Sequence, residues 1–376
     1  MSEWTPRLKQ LFAPLLNKAI IVLFYLGVMM LFFYSPLVLD YFGKNRSINV
    51  CAFTETFSPE AIERFEQSTG IKVNLTYVEL DEQIYAKFKI NDGEGYDVVN
   101  ISDFMVQMLS KQDLLHHIDR TKIRNFDRVD THLLQQAYDS ENKYGVPHKW
   151  FMYGIMYDRD FFNMPSESMS FEFVFKDPEV LCKEGRVKAP YKICMIDSPV
   201  DAFFLAGLHL FKGQGFEDAQ TQGAIEHLLI EQKKWVECYT LYSIEYFLLT
   251  GLVPIAITSS NFARKMWGMS DRFEFAIPQD GGILVIENLA IPKNSANTEL
   301  AYQFIDFMIS DEIAVLNSSV YGWVSSNKEA MSVASKDDKK GQLLPKDDLI
   351  KRLHIPLFSS GMRAKIEDIW LKVGFA

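Results

Sequence analysis

The sequence predicts an α/β protein with two domains behind one N-terminal transmembrane helix, and three observations lead to this prediction. The chain has 376 residues, which is enough for two domains of roughly 100–200 residues each. Strand and helix signals alternate along it, which favours parallel sheets whose ligands bind at the carboxyl ends of the strands. Residues 19–39 form an apolar run of 21 residues without a charge.

The apolar run at residues 19–39 is long enough to cross the roughly 30 Å hydrocarbon core of a bilayer as a helix. It is apolar on every face, whereas a surface helix of a globular domain has a polar face. Arg7, Lys9 and Lys18 precede it, so we expect a cytoplasmic tail over residues 1–18 and export of the part behind the run. No small-x-small cleavage site follows, which favours an uncleaved signal anchor over a cleaved signal peptide.

The composition is that of an ordinary globular protein, with 48% hydrophobic and 23% charged residues. The net charge is −10, which argues against non-specific binding to nucleic acid, because such binding needs a basic surface. An acidic chain is compatible with a cationic ligand. We therefore expect no nucleic acid among the partners of this protein.

The cysteines and histidines suggest no metal site. The four cysteines form no CxxC pair and no zinc-site spacing with histidine. Cys182 and Cys194 are close enough in sequence for a disulfide, and buried free thiols are the alternative. His116 and His117 are adjacent, so their side chains point in different directions and form a poor metal pair. The sequence therefore predicts neither a metal site nor a cofactor.

The first half of the exported part has alternating strand and helix signals. Residues 47–53 are an apolar strand signal, and a helix then opens with Ser58 as N-cap and Pro59 at its first position. Gly70 is a usual helix end, and residues 71–77 alternate apolar and polar as a strand does. The same criteria predict a helix over 81–90, a strand over 96–102 and a helix over 103–117.

The second half repeats this pattern behind one long strand signal at residues 144–158, which we expect to be a crossing strand. Apolar residues along one side of residues 298–310 predict an amphipathic helix there. The many charges in residues 335–348 predict a surface loop. The remaining predicted elements are strands over 192–197, 252–258, 273–278 and 283–292 and a helix that begins at Pro199.

Several segments, in their order along the chain, resemble one protein family. They are CAFTETFSPEAIERFEQSTGIKV, YAKFK, YDVVNISDFMVQML, YGVPHKW, LAIPKNSANTELAYQFIDFMISDEIA and YGWVSSN. From about residue 47 to the C-terminus, the chain resembles the spermidine/putrescine-binding proteins of bacterial ABC importers, which belong to the extracellular solute-binding family. The order of the segments is more specific than any one of them.

The resemblance implies a periplasmic binding-protein fold, a two-lobed clamp that closes on its ligand through a hinge of crossing segments. Lobe one would comprise residues 47–150 and 286–330, and lobe two residues 151–285 and 331–376. It implies a monomer on the periplasmic or extracellular side, without catalytic residues. It also implies capture of a small cationic solute, a polyamine such as putrescine or spermidine, and delivery to ABC permease subunits.

A polyamine site requires carboxylates for the ammonium groups and apolar or aromatic walls for the methylene spacer. The positions that match the family's ligand residues are Phe53, Glu55, Asp103, Asp201, Glu287 and Trp323. We predict that the carboxylates of Glu55, Asp201 and Glu287 converge on one cleft. Compared with the family, the acids are largely retained and rings are lost, as at Val285 and at Ser259 or Ser260. A shorter, more polar cation, or a different solute, would fit this pattern as well.

The predicted site residues also have structural alternatives. Glu55 fits an exposed loop acid, and Asp201 has the spacing of a helix capping box. Phe53 and Trp323 fit positions in a hydrophobic core. Asp103 fits a helix N-terminus, where a carboxylate interacts favourably with the helix dipole.

Two other hypotheses for the function stay open. One keeps the clamp with a different solute, an amino acid or a ferric ion, for which Tyr239 and Tyr242 would supply hard oxygen ligands. The other is a ligand-sensing ectodomain that signals to a membrane partner. An enzyme is disfavoured, since no GxSxG, Walker loop, HExxH or GxGxxG motif occurs.

Overall fold

The computed structural model describes residues 23–30, 46–241, 243–337, 344 and 347–376. Of the transmembrane helix expected over residues 19–39, only 23–30 are described, and they are helical and exposed. The rest of that span, like the expected tail over residues 1–18, lies outside the described residues. Within the described ranges, no helix is both long enough and apolar enough to span a bilayer.

The strands of the described chain form one mixed sheet. They are β1 (Ser47–Phe53), β2 (Lys72–Val78), β3 (Val98–Ser102), β4 (Gly145–Asp158), β5 (Ile193–Met195), β6 (Val236–Tyr239), β7 (Ile255–Ser259), β8 (Phe273–Ala276), β9 (Gly282–Ala290), β10 (Val324–Ser325) and β11 (Leu353–His354). Their spatial order is β2-β1-β3-β9-β4-β7-β5-β6, with β8 and β10 also paired to β4 and β11 paired to β9.

The two ends of the sheet are parallel and its centre is antiparallel. Strand β1 runs parallel to β2 and β3, and β5 runs parallel to β6 and β7. Between these sets, β4 and β9 run antiparallel to each other and to β7 and β3. At roughly 3.3 Å per residue, the 14 residues of β4 extend about 46 Å, enough to pass through both halves. The sequence predicts the parallel ends and the long strand, but not the antiparallel centre.

Helices connect the strands. From residue 47 onwards the α-helices are α1 (Pro59–Thr69), α2 (Asp81–Asn91), α3 (Asp103–Lys111), α4 (Arg159–Phe162), α5 (Glu172–Phe175), α6 (Pro178–Lys183), α7 (Pro199–Phe211), α8 (Ala219–Gln232), α9 (Ile244–Leu249), α10 (Ser260–Trp267), α11 (Thr298–Met308), α12 (Asp311–Tyr321), α13 (Lys328–Asp337), α14 (Asp347–Ile350) and α15 (Ser360–Phe375). Short 3-10 helices lie at Arg120–Lys122, Phe126–Arg128, Thr131–Leu133, Ser166–Ser168 and Lys233–Trp235.

Helix α1 begins and ends where its sequence signals predict. The Ser58 hydroxyl accepts a hydrogen bond from the Ala61 backbone N–H, and Pro59 occupies the first helical position. Gly70 adopts a left-handed φ of 68°, and its N–H donates to the Glu66 carbonyl. A residue with a Cβ is strained in that conformation, so glycine is favoured there.

Helix α3 is shorter than predicted. The expected helix over residues 103–117 ends at Lys111, because Asp113 adopts a positive φ of 58° and the chain leaves the helical path. Leu115 then forms an antiparallel bridge to Pro292. The apolar residues after Lys111 are therefore buried by pairing across the fold rather than by a longer helix.

The later elements occur near the predicted positions, with tighter bounds. Strands β5, β7, β8 and β9 account for the four shorter strands predicted in the second half, and α7 begins at Pro199. The amphipathic helix predicted over 298–310 is α11. The charged segment 335–348, expected to be a loop, is helical at both ends, in α13 and α14, and its residues 338–343, 345 and 346 lie outside the described residues.

Among the described residues, the hydrophobic core has three clusters. One is confined to residues of 47–150 and 286–330, with Phe65 and Phe304 packed edge to face. A second is confined to residues of 151–285 and 331–376. The third cluster includes residues of both sets, such as Trp150, Met156 and Ile286 on the central strands. The division into two lobes stays a prediction, and the first two clusters give each expected lobe a core of its own.

Candidate functional site

Acidic residues follow the carboxyl ends of neighbouring parallel strands in the first half of the chain. Asp81 opens α2 just behind β2, and Asp103 opens α3 directly behind β3. Glu55 lies in the turn behind β1, the strand between them. Because the carboxyl ends of parallel strands meet at one edge of the sheet, these three residues lie at the same edge.

The second parallel set places a further acid in the corresponding position. Asp201 lies in the first turn of α7, behind the carboxyl end of β5. Its backbone N–H donates to the Ser198 hydroxyl at 3.4 Å, so the predicted cap is present. The Asp201 carboxyl group also interacts with the Ser198 side chain and with Arg363.

The crossing strands bring one acid and one base into the centre of this edge. Glu287 on β9 pairs in register with Ser102, the last residue of β3, and on its other side with Lys149 of β4. Lys149 Nζ lies 3.1 Å from Glu287 Oε2, with 8% and 9% of the two side chains exposed. Burial raises the pKa of Glu287, and the Lys149 charge opposes this rise.

Glu287 has two polar side chains as partners. Its Oε2 lies 3.1 Å from Lys149 Nζ, and the carboxyl group also interacts with the Asn100 side chain, which opposes the rise of the Glu287 pKa. Lys149 Nζ is also 3.4 Å from Thr56 Oγ1 and 5.7 Å from the centroid of the Trp323 ring. The ammonium thus has a carboxylate, a hydroxyl and an aromatic face around it.

Asp103 is buried and has a structural role. Its Oδ1 accepts from the Phe104 N–H at 2.6 Å and its Oδ2 from the Ile286 N–H at 2.8 Å, which connects α3 to β9. Burial raises the pKa of Asp103 to about 7 against these hydrogen bonds, and repulsion from Asp81 and Asp201 adds to the rise. The helix-terminus alternative from the sequence is therefore correct, and the carboxyl group still lies among other acids.

Asp81 and Asp201 are partly buried, and the pKa of each carboxyl group is raised above its ordinary value. Burial raises the pKa of Asp81 to about 7, with repulsion from Glu82 and Glu287 adding, although Ser102 donates a hydrogen bond to it. Burial likewise raises the pKa of Asp201 to about 6, against its bond to Ser198 and the attraction of Arg363. These acids are held in an environment that disfavours their charged forms.

Arg363 of α15 is the second base at this edge. Its guanidinium packs on the face of the Phe104 ring and interacts electrostatically with Asp201, Asp81 and Asp103. Burial lowers the pKa of Arg363 to about 10, against the attraction of these acids. Its Nε is buried and donates to no described residue.

We refer to Asp81, Asp103, Asp201 and Glu287 as the acid group. Each member interacts electrostatically with at least one other: Glu287 with Asp81, Asp81 with Asp103, and Asp103 with Asp201. The bases Lys149 and Arg363 balance two of the four carboxyl groups. Burial is the largest cause of each raised pKa value, and a bound cation would lower these values.

Of the six predicted ligand residues, three belong to the acid group and three do not. Asp103, Asp201 and Glu287 are members of it. Trp323 is buried, and its indole N–H donates to the Glu55 carbonyl at 2.9 Å. The Glu55 side chain is exposed, and its backbone adopts a positive φ of 59°. Phe53 is half-buried and packs on the third core cluster.

Glu55 is therefore the exception to the predicted convergence of three carboxylates. The structure brings Asp201 and Glu287 into one acid group, whereas Glu55 has an exposed side chain and contacts Trp323 through its backbone carbonyl. A non-glycine residue at positive φ is uncommon and is often found at functional sites. Its ligand role stays a prediction.

Three residues of the site were not predicted from the sequence: Asp81, Lys149 and Arg363. Asp81 follows the carboxyl end of a predicted parallel strand, and that rule alone would have identified it. Lys149 is a charged residue inside a mostly apolar strand signal, which is unusual for a buried position. Arg363 has no local signal, because only the fold brings α15 to this edge.

The other residues considered from the sequence have structural roles. Ser259 caps α10, and Ser260 Oγ accepts from the Met152 N–H. Tyr239 packs on Trp370, and Tyr242 lies outside the described residues. No cluster of three or more metal-ligating side chains occurs in the described part of the chain. His117 contacts Tyr144 at 3.2 Å rather than its neighbour.

Comparison with known proteins identifies a matching family model and relatives of similar length. Residues 60–343 match the model described as bacterial extracellular solute-binding protein. A spermidine/putrescine-binding periplasmic protein of Salmonella typhimurium is 26% identical over 300 residues, covering 78% of this chain and 81% of the relative. A putrescine-binding periplasmic protein of Pseudomonas aeruginosa is 24% identical over 347 residues, covering 88% and 92%.

Solved structures with the same fold include two transporter components. A spermidine/putrescine ABC transporter substrate-binding protein of Streptococcus pneumoniae superposes with a TM-score of 0.75 at 22% identity, covering 88% of this chain and 99% of that chain. A putative spermidine/putrescine ABC transporter protein of Listeria monocytogenes superposes with a TM-score of 0.76 at 22% identity over the same shares. At this identity, the likeness establishes the shared α/β fold.

Proposed function

The chain belongs to the family of bacterial extracellular solute-binding proteins, and on this basis we propose that it captures a small cationic solute, a polyamine, for an ABC importer. The ligand would bind between two lobes and be released unchanged. Relatives whose names state polyamine binding cover most of this chain, which supports the choice of solute.

The observation that carries this proposal is the acid group. Burial raises the pKa of all four carboxyl groups, and repulsion from other acids adds to the rise for Asp81 and Asp103. Among the described residues, Lys149 and Arg363 are the bases that interact with this group. A buried ammonium is costly unless carboxylates meet it, and buried carboxylates equally need cations. A ligand with ammonium groups would relieve this imbalance, whereas an anionic ligand would increase it.

The positions of the charged residues support a clamp. Asp81 and Asp103 belong to the expected lobe one, and Asp201 and Arg363 to the expected lobe two. A cation held between these acids would attract both lobes, so that binding favours the closed form. Phe53, beside the turn that leads to Glu55, would cover the methylene spacer of the ligand.

We further propose a location and partners for this protein. The apolar run at residues 19–39 would anchor the chain in the membrane, with the binding lobes on the periplasmic or extracellular side. The closed, monomeric clamp would dock on ABC permease subunits. The periplasmic relatives support the side of the membrane and do not bear on the anchor.

A thermal-shift experiment on the full chain tests the solute. We expect putrescine or spermidine to raise the melting temperature, because a ligand at 100 times its Kd stabilises the folded state by about 2.7 kcal/mol. Basic amino acids, ω-amino acids and ferric ion serve as comparison ligands. Stabilisation by one of these, with none by any polyamine, would contradict the proposal.

A further inference from the structure

We propose that the Lys149 ammonium is a built-in cation that occupies one amine position of the site and so restricts the ligand to two amino groups. This inference rests on the proposed polyamine function and narrows it to compact diamines. Lys149 would then determine specificity by its position in the cleft.

The surroundings of the Lys149 ammonium are those that a ligand ammonium needs. Its Nζ lies 3.1 Å from Glu287 Oε2 and 5.7 Å from the Trp323 ring centroid. Both of these partners were predicted from the sequence to bind the ligand. The Thr56 hydroxyl, 3.4 Å from Nζ, completes the shell. A side chain of the protein therefore already uses the acid and the ring that an incoming amine would use.

The fold holds Lys149 in this position. It lies on the central strand β4, in register with Glu287 on β9, and only 8% of its side chain is exposed. Its neighbour His148 is fully buried between the Phe57 and Trp323 rings. Burial and the Lys149 charge lower the pKa of His148 to about 3, so His148 adds no second positive charge.

The remaining charges define how many ligand amines fit. Lys149 balances Glu287, which leaves Asp81, Asp103 and Asp201 with Arg363 as their only base within the described acid group. Both oxygens of Asp103 already accept backbone hydrogen bonds, and the attraction of Arg363 is shared with Glu82. Asp81 and Asp201 are therefore the two acids left to meet ligand ammonium groups. A third ammonium would have to lie beside Lys149, where like charges repel in a poorly solvated site.

Calorimetric titration of the full chain with putrescine and spermidine tests this inference. For the wild type we expect at least tenfold tighter binding of the diamine than of the triamine. In Lys149→Met, which keeps the apolar length of the side chain and removes its charge, we expect spermidine to bind at least tenfold tighter than to the wild type. The ratio of the two binding affinities should therefore shift in favour of spermidine.

Two control variants make the result specific. Lys149→Met combined with Glu287→Gln removes the freed carboxylate as well, and it should not gain spermidine affinity. Lys143→Met removes an exposed lysine that precedes β4 and pairs with Glu141, and it should leave the ratio unchanged. Melting temperatures measured without ligand show whether each variant is folded.

The outcomes separate this inference from the proposed function. If the wild-type protein binds spermidine as tightly as putrescine, the inference is overturned. This comparison uses the wild type alone, so it does not depend on whether the variants fold. An unchanged ratio in folded Lys149→Met overturns it too, while the polyamine function stands. If no diamine or triamine binds to the wild type at all, the proposed function fails and the inference fails with it.

Discussion

At the scale of single residues, the site depends on carboxyl groups that perform two tasks at once. Asp103 accepts backbone hydrogen bonds from Phe104 and Ile286 and also belongs to the acid group. The Asp201 backbone is capped by Ser198, while its carboxyl group interacts with Arg363. The structural and the functional interpretations of these residues therefore do not exclude each other.

Substitution of Asp201 should weaken ligand binding. Asp201→Asn removes one of the carboxylates that would meet a ligand ammonium, and hydrogen bonds to charged groups contribute about 1.5–3 kcal/mol. We expect putrescine to bind roughly tenfold to a hundredfold more weakly, as measured by calorimetry. Glu217→Gln is the control: its side chain is exposed and does not belong to the acid group, so we expect a change below about threefold. A loss in Glu217→Gln as large as that in Asp201→Asn would contradict this assignment.

Ligand binding should release protons near neutral pH. Burial raises the pKa of Asp81 and of Asp103 to about 7, so both acids are partly protonated at pH 7 without ligand. A bound cation lowers these pKa values, and the released protons are counted by calorimetry in buffers with different ionisation enthalpies. Affinity should fall as pH falls below 7. Asp81→Asn should release fewer protons, and an unchanged proton count in that variant would contradict the prediction.

Asp81 should make the free energy of unfolding of the ligand-free protein fall as pH rises from about 4 to 7. An acid in a salt bridge, whose pKa is lowered by folding, has the opposite effect. Because the folded pKa of Asp81 lies above its ordinary value of 3.8, the folded state retains a proton that the unfolded chain has lost. The contribution of Asp81 to the free energy of unfolding is therefore present below about pH 4 and is lost as pH rises towards 7. Chemical unfolding at several pH values should show a flatter profile for Asp81→Asn. An identical profile would count against the raised pKa.

Sequence patterns could predict some of these residues and not others, for physical reasons. Asp201 and Glu287 occupy strand ends or helix starts that local signals mark. Arg363 reaches the site only because α15 packs back onto it, and no local pattern encodes such a long-range contact. Lys149 is visible in the sequence as a charge inside an apolar strand, but its pairing with Glu287 depends on the register of β4 and β9.

At the scale of elements, the close packing of β4 against β8 depends on a glycine. A Cβ on Gly154 would lie 2.5 Å from the Ala276 carbonyl oxygen, closer than any real contact. We expect Gly154→Ala to lower the free energy of unfolding by about 1–3 kcal/mol, the usual cost of overpacking. Gly223→Ala in α8 meets nothing within 4 Å and should raise it by up to about 1 kcal/mol. Equal effects of the two changes on urea unfolding would contradict this account.

Strands β5 and β6 bring together two cysteines that are distant in sequence. Cys194 and Cys238 are register partners, and their Sγ atoms lie 2.9 Å apart. From the sequence, a Cys182–Cys194 disulfide and buried free thiols are both open, since these two cysteines are near each other in the chain. Cys182 lies instead on α6, and all three thiols are free in the structure. Nearness in sequence is a poor guide here, because parallel strands pair residues across long connections.

Oxidation should therefore link Cys194 to Cys238. With oxidised glutathione as the oxidant, the two thiols lose two protons and two electrons, and glutathione is reduced. Burial raises the pKa of both thiols, so we expect the reaction to be slow at neutral pH. A bridge closing this 44-residue separation would stabilise the fold by about 4 kcal/mol. Peptide mass spectrometry identifies the bridge, and a Cys182–Cys194 link would contradict the assignment.

At the scale of the whole molecule, the sequence predicts the alternation of strands and helices, while the structure supplies their connection. The first and second core clusters are separate, and the third extends along the central strands. The sequence signals predict the bounds of β1 and α1 to the residue. They predict α3 too long, because the chain behind it leaves the helix and Leu115 pairs with Pro292. Local signals define elements, and tertiary pairing defines where some of them end.

The central claim is that the acid group binds a small dication, and calorimetric titration of the full chain with putrescine at pH 7.5 tests it most directly. The account predicts saturable binding of one putrescine per chain, with micromolar or tighter affinity and a marked loss in Asp201→Asn. Absence of measurable binding, or binding that Asp201→Asn and Glu287→Gln leave unchanged, would contradict the account.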